Sequence, residues 1–134
     1  MVERITCTDL QDQCNCNREG FIELNVQDSF KLTYQFINNN FKPALRIPLD
    51  TFDLQIDYYI KDRKEVYTVI KEGLEGINCV MYPEKSIIKA IFNDHGLKAG
   101  HLYADFTFKY FDYEIQDKVA TAHYTKDTKI ILID

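Results

Sequence analysis

The 134-residue chain contains no tryptophan, only two serines and only five glycines, and these scarcities exclude several classes of active site. Neither Ser29 nor Ser86 stands in a Gly-x-Ser-x-Gly turn or beside a histidine, which excludes a serine nucleophile of the hydrolase type. The glycines are scattered, so the chain has no glycine-rich loop that could hold a phosphate group. His95, His101 and His123 are interpreted as structural residues, and no enzymatic activity is expected.

Long apolar runs and an excess of basic residues are also missing. No stretch approaches the roughly 18 apolar residues of a membrane-spanning helix, and the first residues have neither the basic start nor the apolar stretch of a secretory signal. We therefore expect a protein that is made and retained in a cytoplasm, unless assembly exports it. The 16 basic and 21 acidic residues give a net charge of −5. Because no basic stripe is present to neutralise phosphates, neither nucleic acid nor a membrane is an expected partner.

The chain has four cysteines, which are expected to be reduced thiols in a protein without a secretory signal. Cys7, Cys14 and Cys16 form the one cluster with metal-ligand character, but it lacks a Cys-x-x-Cys pair and a nearby histidine. Free thiols are the favoured interpretation of this cluster, and metal binding or a disulfide formed after lysis are the alternatives. Cys79 stands in an apolar segment and is predicted to pack there. No cofactor is expected.

Strict alternation of apolar and polar residues is the dominant pattern that the sequence does contain. Residues 30–36, 52–58 and 102–110 each place apolar side chains at every second position, which gives a strand one buried and one solvated face. Some nine such strands, separated by turn residues, predict an all-β fold with less than about 10% helix. The expected architecture is an immunoglobulin-like antiparallel β-sandwich, and a small β-barrel is the alternative.

The same pattern divides the chain into two parts. Residues 1–20 are acidic and polar and are expected to form an extended N-terminal arm or an edge strand, whereas residues 21–134 form the sandwich domain. Segment 125–128 is predicted to be a hairpin turn, and segments 22–26 and 129–133 are predicted to be sheet edges. The predicted core consists of Leu32, Tyr34, Phe36, Leu54, Ile56, Ile88, Leu102, Phe106, Phe108 and Leu132.

The nine tyrosines are more than a small core needs. Because successive strand residues face opposite sides, Tyr58 and Tyr59 cannot both point inward. Tyrosine combines a large contact area with a polar tip, which suits protein interfaces, and the same rings could stack on sugars. Asp53 and Asp57 share one strand face, which is interpreted as a solvated surface. The residues predicted to contact a partner are Tyr59, Tyr67, Tyr103, Tyr113, Ile131 and Ile133.

Three stretches from residue 28 onward resemble a known family. In residues 28–34 a short polar pair precedes an alternating strand, and in residues 49–56 a polar turn leads into a second one. Residues 97–106 enter a late strand through a glycine. In these features residues 28–134 resemble the immunoglobulin-like module found at the start of tailed-phage baseplate upper proteins and in related phage fibre proteins.

The resemblance implies a non-enzymatic structural protein of a tailed-phage particle. Such a protein would belong to the tail or baseplate, the head fibres or the capsid decoration, and it would be assembled into the virion in the cytoplasm of the bacterial host. Its expected partners are other virion structural proteins and further copies of itself, and the N-terminal arm is expected to become ordered on contact with a partner. The alternative function is a carbohydrate-binding or surface-adhesion β-sandwich module.

Overall fold

A computed structural model describes residues 2–6, 15–16, 21–38, 41–112 and 118–134, and the side chains of residues 21–38, 41–110 and 121–134. The described residues are mostly in strands and contain two three-residue 3-10 helices, Leu49–Thr51 and Pro83–Lys85, which confirms the predicted all-β class. The strands are β1 Val2–Thr6, β2 Asn15–Cys16, β3 Ile22–Asn25, β4 Phe30–Asn38, β5 Leu45–Arg46, β6 Phe52–Ile60, β7 Val66–Glu72, β8 Glu75–Ile77, β9 Cys79–Tyr82, β10 Ile87–Phe92, β11 Gly100–Asp112 and β12 Lys118–Ile133.

These strands form two sheets that pack face to face. Sheet 1 has the order β1-β4-β10-β9 with the short β5 beside β4, and sheet 2 has the order β2-β3-β12-β11-β6-β7-β8. A variable-type immunoglobulin sandwich has the strands A, B, E and D in one sheet and G, F, C, C′ and C″ in the other. When the strands other than β2, β3 and β5 are lettered in chain order, sheet 1 has the order A, B, E, D. Strands β12, β11, β6, β7 and β8 of sheet 2 then have the order G, F, C, C′, C″. The predicted sandwich is confirmed: a curled sheet packs on a second sheet, an arrangement that also resembles a half-barrel.

The core between the sheets is built from the apolar positions of the alternating segments. Tyr34 of β4 and Phe106 of β11 meet edge to face across the two sheets, with their ring centroids 5.3 Å apart. The hydroxyl oxygens of Tyr34 and Tyr58 lie 2.6 Å apart and share a hydrogen bond. In antibody domains a disulfide joins the two strands that correspond to β4 and β11, which are the strands that the Tyr34–Phe106 ring contact joins here. All ten predicted core residues are buried: Leu32, Tyr34, Phe36, Leu54, Ile56, Ile88, Leu102, Phe106, Phe108 and Leu132.

The last strand is longer than the sequence pattern predicted. β12 runs without a turn from Lys118 to Ile133 and pairs with β11 along its length. The predicted hairpin turn at residues 125–128 is therefore wrong. The pairing register shifts after Leu102, so that the extra residues Thr128 and Lys129 form a bulge, with Lys129 at φ 62°. The Thr128 hydroxyl donates to the Leu102 carbonyl at 2.7 Å, which stabilises the bulge without ending the strand.

The C-terminal half of β12 is also not a sheet edge. β3 runs parallel to it, with Ile22 opposite Ile130 and Asn25 opposite Ile133. The Val26 N–H then donates to the Ile133 carbonyl at 2.8 Å and continues the contact. The prediction of an edge at residues 129–133 is wrong because β3 occupies that side. β3 itself has only the two-residue β2 on its other side in the described part of the chain, so residues 22–26 lie close to an edge.

Two pieces of the predicted N-terminal arm belong to the sheets. β1 pairs antiparallel with β4, from Val2 opposite Ile37 to Thr6 opposite Thr33. β2 pairs antiparallel with β3 over two residues. Residues 2–6 thus form an edge strand of sheet 1.

The chain passes from sheet 2 to sheet 1 through Asn78, and this crossing ties the two sheets together along one side. The Asn78 carbonyl accepts the Ile91 N–H at 2.8 Å, and the Asn78 side-chain amide donates to the Thr68 carbonyl at 2.9 Å. Tyr67 lies nearby and donates its hydroxyl proton to the Ile91 carbonyl at 2.6 Å. Burial raises the pKa of Tyr67, which keeps the hydroxyl protonated as a donor.

Lys71 is a buried cation on β7, with only 1% of its surface exposed. Its ammonium group donates to the Phe52 carbonyl and, at 2.9 Å, to the Gly73 carbonyl, and it lies 4.4 Å from the centre of the Phe52 ring. Burial lowers the pKa of Lys71, and the nearby carboxylates of Asp53 and Asp50 oppose this effect. The lysine replaces water at these carbonyls and so joins the start of β6 to the β7–β8 turn.

His95 is a second buried titratable residue, in the loop between β10 and β11. Its Nδ1 accepts the Leu97 N–H at 3.0 Å, and its ring lies edge to face against Phe92. Burial lowers the pKa of His95, and the Asp28 carbonyl and the charge of Asp94 oppose this effect. Protonation of His95 at Nδ1 would place its N–H against the Leu97 N–H, and two donors cannot bond to each other. The native loop therefore requires a neutral imidazole.

The inter-sheet ring contact leads to a stability prediction. Replacing Phe106 with alanine should lower the free energy of unfolding by about 3–5 kcal/mol, because it removes a fully buried ring and leaves a cavity. Chemical denaturation followed by circular dichroism measures the change. Phe41→Ala is the matched control, since Phe41 is 51% exposed and should change stability little. A loss below about 1 kcal/mol for Phe106→Ala would contradict the assigned packing.

The burial of His95 leads to a pH prediction. Its pKa is lower in the folded state than the unfolded value of 6.5, so the unfolded chain binds more protons below that pH. The free energy of unfolding should therefore fall as the pH is lowered below 6.5, down to the folded pKa. His95→Asn should flatten this dependence, because an asparagine oxygen can accept the Leu97 N–H and does not titrate.

Thermal unfolding measured at a series of pH values tests this expectation. His123→Asn is the control for the substitution itself, because His123 is exposed on β12. Equal pH profiles for the wild-type protein and His95→Asn would contradict the role given to His95.

Candidate interaction surface

The outward side of sheet 2 is strongly acidic and is called the acidic face below. It consists of the outward-pointing residues of β3, β6, β7, β8, β11 and β12, as set by the pairing register and the alternation in burial. Among its described side chains two are basic, Lys109 and Lys129. The acidic ones are Glu23, Asp53, Asp57, Glu72, Glu75, Asp105 and Asp127.

Two carboxylates lie directly opposite each other near the centre of this face. Asp57 on β6 is paired with Asp105 on β11. Asp57 accepts the hydroxyl proton of Thr68 at 2.9 Å, and Asp105 accepts those of Thr125 at 2.7 Å and Tyr59 at 3.3 Å. No basic side chain of the described residues forms an ion pair with either carboxylate. Because like charges at opposed positions destabilise a sheet, this pair costs stability in the isolated domain.

A row of aromatic rings runs beside the carboxylates. Phe21 and His101 meet edge to face with their centroids 5.1 Å apart, and His101 stacks on Tyr103 at 4.7 Å. Tyr103 in turn stacks on Tyr59 of the neighbouring strand at 6.0 Å. Burial next to the Asp105 carboxylate raises the pKa of Tyr59, so its hydroxyl stays a donor. The row offers both apolar edges and polar groups to a partner.

A hydrogen bond between His101 and Asp127 beside the row holds it in place. His101 Nε2 lies 2.7 Å from an Asp127 carboxylate oxygen, and the Lys129 N–H donates to the same carboxylate at 2.8 Å. Burial alone would raise the pKa of Asp127, but these hydrogen bonds and the neighbouring charges hold it below its usual value. Asp127 therefore remains ionised and contributes to the negative charge of the face.

The opposite end of the acidic face carries exposed apolar side chains. Val66 and Ile77 are 55% and 59% exposed, and Leu74 in the turn between their strands is 54% exposed. Ile70 lies directly opposite Ile77, and Val66 lies opposite Tyr59, so this apolar strip continues into the aromatic row. Single exposed apolar residues are common, whereas a group of them on one face, here with Thr68 between Val66 and Ile70, is a candidate contact surface.

The outward side of sheet 1 has the opposite charge and is called the basic face below. It consists of the outward-pointing residues of β4, β5, β9 and β10, and its described side chains include no acidic residue. Lys89 lies with its ammonium group 5.4 Å from the centre of the Tyr82 ring. The basic residues are Lys31, Arg46 and Lys89, and the apolar or aromatic ones are Ile37, Val80, Tyr82, Ile87 and Ile91.

An apolar cleft lies on the inward side of the long β11–β12 hairpin. It measures about 400 Å³ and is lined by Phe108, Tyr110, Ala122 and Tyr124. Tyr124 stacks on Phe106 at 4.9 Å, so the cleft continues the hydrophobic core toward solvent. The described lining of the cleft includes no charged side chain.

The acidic face brings together four of the six residues that were predicted to contact a partner. Tyr59 and Tyr103 form part of the aromatic row, and the register places Ile131 and Ile133 on the same face. The remaining two do not join them: Tyr67 points into the space between the sheets, and Tyr113 lies outside the described residues.

The cysteine cluster falls mostly outside the described structure. Cys7 and Cys14 are outside the described residues, and Cys16 lies in β2 without a described side chain. Among the described residues no group of three His, Cys, Asp or Glu side chains is placed to hold a metal ion. Cys79 is partly buried and packs against the core, and burial raises the pKa of its thiol.

Sequence reasoning missed the central feature of the acidic face. Asp57 was interpreted as part of a solvated surface, and Asp105 was not singled out. The alternation along residues 52–58 and along residues 102–110 was visible in the sequence. Only the pairing of β6 with β11 in the structure places these two carboxylates opposite each other.

Comparison of the chain with protein-family models, with curated proteins and with solved structures gave no match. Within the described residues no helix is long and apolar enough to cross a membrane.

The carboxylate pair leads to a prediction about stability. Asp57→Asn should raise the free energy of unfolding by about 0.2–1 kcal/mol, because it removes the repulsion with Asp105 and keeps an oxygen for Thr68. Asp53→Asn is the matched control on the same strand, where the carboxylate lies opposite Lys109 and accepts the Gly73 N–H at 2.9 Å. That variant should be neutral or destabilising. Urea denaturation compares the two, and destabilisation by Asp57→Asn would contradict the assignment.

Proposed function

We propose that the protein is a non-enzymatic structural subunit of a tailed-phage particle and that it assembles by docking its acidic face on another protein. The observation behind this proposal is the convergence of the aromatic row, the apolar strip and the carboxylate pair on one sheet face. Protein interfaces combine aromatic and apolar contacts with hydrogen-bonding groups in this way. The phage setting comes from the resemblance of residues 28–134 to the immunoglobulin-like modules of phage fibre and baseplate proteins.

The shape of the face favours a macromolecule over a small ligand. The hollow between Asp53, Gln55, Ile70, Thr107 and Lys109 measures about 70 Å³. Small-molecule sites usually enclose roughly 300–1,000 Å³. A shallow sheet surface with protruding side chains can instead be covered by a second shallow surface, with tyrosines at the centre of the contact.

A carbohydrate-binding role is the second candidate, because the aromatic row lies beside carboxylates that could accept hydrogen bonds from sugar hydroxyls. The ring arrangement supports it less well. His101 and Tyr103 stack on each other with 21° between their planes, so they direct ring faces at one another. A sugar needs an open ring face, whereas a protein partner can use ring edges and hydroxyls.

A particle-incorporation experiment tests the proposal. The double variant Tyr59→Ala and Tyr103→Ala should enter phage particles at least about tenfold less than the wild-type chain, since interface tyrosines often contribute more than 1 kcal/mol each. Quantitative mass spectrometry of purified particles measures incorporation, and cross-linking identifies the neighbouring chain. Tyr110→Ala is the matched control, because Tyr110 is 37% exposed on the inward side of the hairpin.

Absence of the protein from purified particles, or equal incorporation of the double variant, would contradict the assembly role. A glycan array examines the second candidate in parallel. Saturable sugar binding that disappears in the Tyr59→Ala and Tyr103→Ala variant would replace the assembly proposal with the carbohydrate-binding one.

A further inference from the structure

We infer that the protein that docks on the acidic face presents an arginine side chain, and that its guanidinium group binds between Asp57 and Asp105. The rings of Tyr59 and Tyr103 form one wall of this site. The inference rests on the proposed function, because it accepts the acidic face as the docking surface and names the chemical group that the surface recognises.

The charge of the face defines the general chemistry of its partner. The described side chains of the acidic face include seven acidic and two basic residues. Opposed charges across an interface favour association and fix the orientation of the partners. The partner is therefore basic where it covers this face, and the carboxylate pair is the place where a single cation neutralises the most repulsion.

The hydrogen bonds of the carboxylate pair leave its negative charges without a cation. Thr68 on β7 donates to Asp57 at 2.9 Å, and Thr125 on β12 donates to Asp105 at 2.7 Å. In the strand order β12-β11-β6-β7, these shortest bonds reach the two carboxylates from their outer sides. All described donors to the pair are neutral groups. A cation placed between the carboxylates therefore does not compete with the threonines.

The basic residues of the chain itself are placed elsewhere. Lys109 lies opposite Asp53 in the pairing of β6 with β11, and Lys129 Nζ lies 3.8 Å from the Asp127 carboxylate. Arg46 belongs to the basic face, on the other side of the sandwich. Within the described part of the chain no cation reaches the carboxylate pair, so the cation comes from another protein.

The geometry of the pair favours a guanidinium group over an ammonium group. Side chains directly opposite each other in a sheet have their Cβ atoms roughly 4.5–5.5 Å apart, which is near enough for two carboxylates to share one cation. A guanidinium group carries five N–H donors in one plane and can bond to both carboxylates at once. The ammonium group of a lysine is a compact point charge without this planar fork.

The aromatic row completes the site on one side. Tyr59 and Tyr103 lie two positions along their strands from the carboxylates and on the same face, with ring centroids 6.0 Å apart. The Tyr59 hydroxyl donates to Asp105 at 3.3 Å, and its oxygen keeps lone pairs that can accept an N–H. The rings exclude water from this side, which strengthens a charge-assisted hydrogen bond. The hydrocarbon stem of an arginine packs against such rings.

A titration with two peptides tests the site. The peptides have the same length and net charge, and one carries arginines where the other carries lysines, separated by glycine and serine. Nuclear magnetic resonance of the isotope-labelled protein at physiological salt measures both affinities. The arginine peptide should bind at least about threefold more tightly than the lysine peptide, because it can bond to both carboxylates at once. The largest shifts should fall on the amides of Asp57 and Asp105.

Two double variants locate the binding site on the protein. Asp57→Asn with Asp105→Asn should weaken binding of the arginine peptide by at least about tenfold, because both charges of the site are lost. The matched control is Asp62→Asn with Glu65→Gln, which changes the net charge equally in the exposed turn between β6 and β7. The control should weaken binding by less than about twofold, since distant exposed charges are screened by salt. Circular dichroism confirms that both variants remain folded.

Three results would overturn the inference. Equal affinities for the two peptides, or equal losses in the two double variants, would mean that net charge alone attracts the peptides. Saturable binding of calcium alone, with shifts at the amides of Asp57 and Asp105, would make the carboxylate pair a metal site.

Particle incorporation separates this inference from the proposed function. If the Tyr59→Ala and Tyr103→Ala variant is lost from phage particles while the Asp57→Asn and Asp105→Asn variant enters them like the wild-type chain, the assembly role stands and the arginine site is wrong. If the arginine peptide binds at the carboxylate pair but no particle contains the chain, the arginine site stands and the proposed function fails.

Discussion

The two sheets are held together by a cluster of aromatic side chains centred on Tyr34, and the rest of the architecture depends on it. Tyr34 meets Phe106 across the core and shares a hydrogen bond with Tyr58, 2.6 Å between oxygens. Two buried hydroxyls satisfy each other, which removes the cost of leaving either without a partner. Burial, together with the neighbouring Tyr34 hydroxyl, raises the pKa of Tyr58 well above its usual value. The Tyr58 hydroxyl therefore keeps its proton and the hydrogen bond persists. The contact fixes which side of β6 and β11 faces inward, and it therefore also fixes which side becomes the acidic face.

The alternation of residues was sufficient to predict the core, because side-chain direction in a strand depends only on local geometry. Leu32, Phe36 and Phe108 are buried as expected. Pairing partners could not be predicted in this way, since they depend on residues far apart in the sequence. The parallel contact of β3 with β12 and the opposition of Asp57 and Asp105 are both of this kind.

Local chemistry was misleading at two further places. Residues 125–128 have the composition of a turn, yet the Thr128 hydroxyl bonds to the neighbouring strand and allows β12 to continue through a bulge. Lysine usually lies on the surface, but Lys71 is buried, and backbone carbonyls at the end of the sandwich accept hydrogen bonds from its ammonium group in place of water. In the acidic face, too, the predicted residues came together for partly different reasons: Ile131 and Ile133 were chosen as edge residues and lie instead on an outward sheet face. Local conflicts of this type, such as opposed carboxylates, are concentrated where a surface has a role beyond folding.

The parallel pairing of β3 with β12 also determines how the domain responds to mechanical load. If force is applied between Phe21, which precedes β3, and Asp134, which follows β12, the two parallel strands are pulled in opposite directions along their length. The hydrogen bonds from Ile22 opposite Ile130 to Asn25 opposite Ile133 are then loaded together, in shear. An antiparallel hairpin pulled from its open end would break its bonds one after another. A domain tethered through these two points would therefore resist tension with the whole strand pair at once.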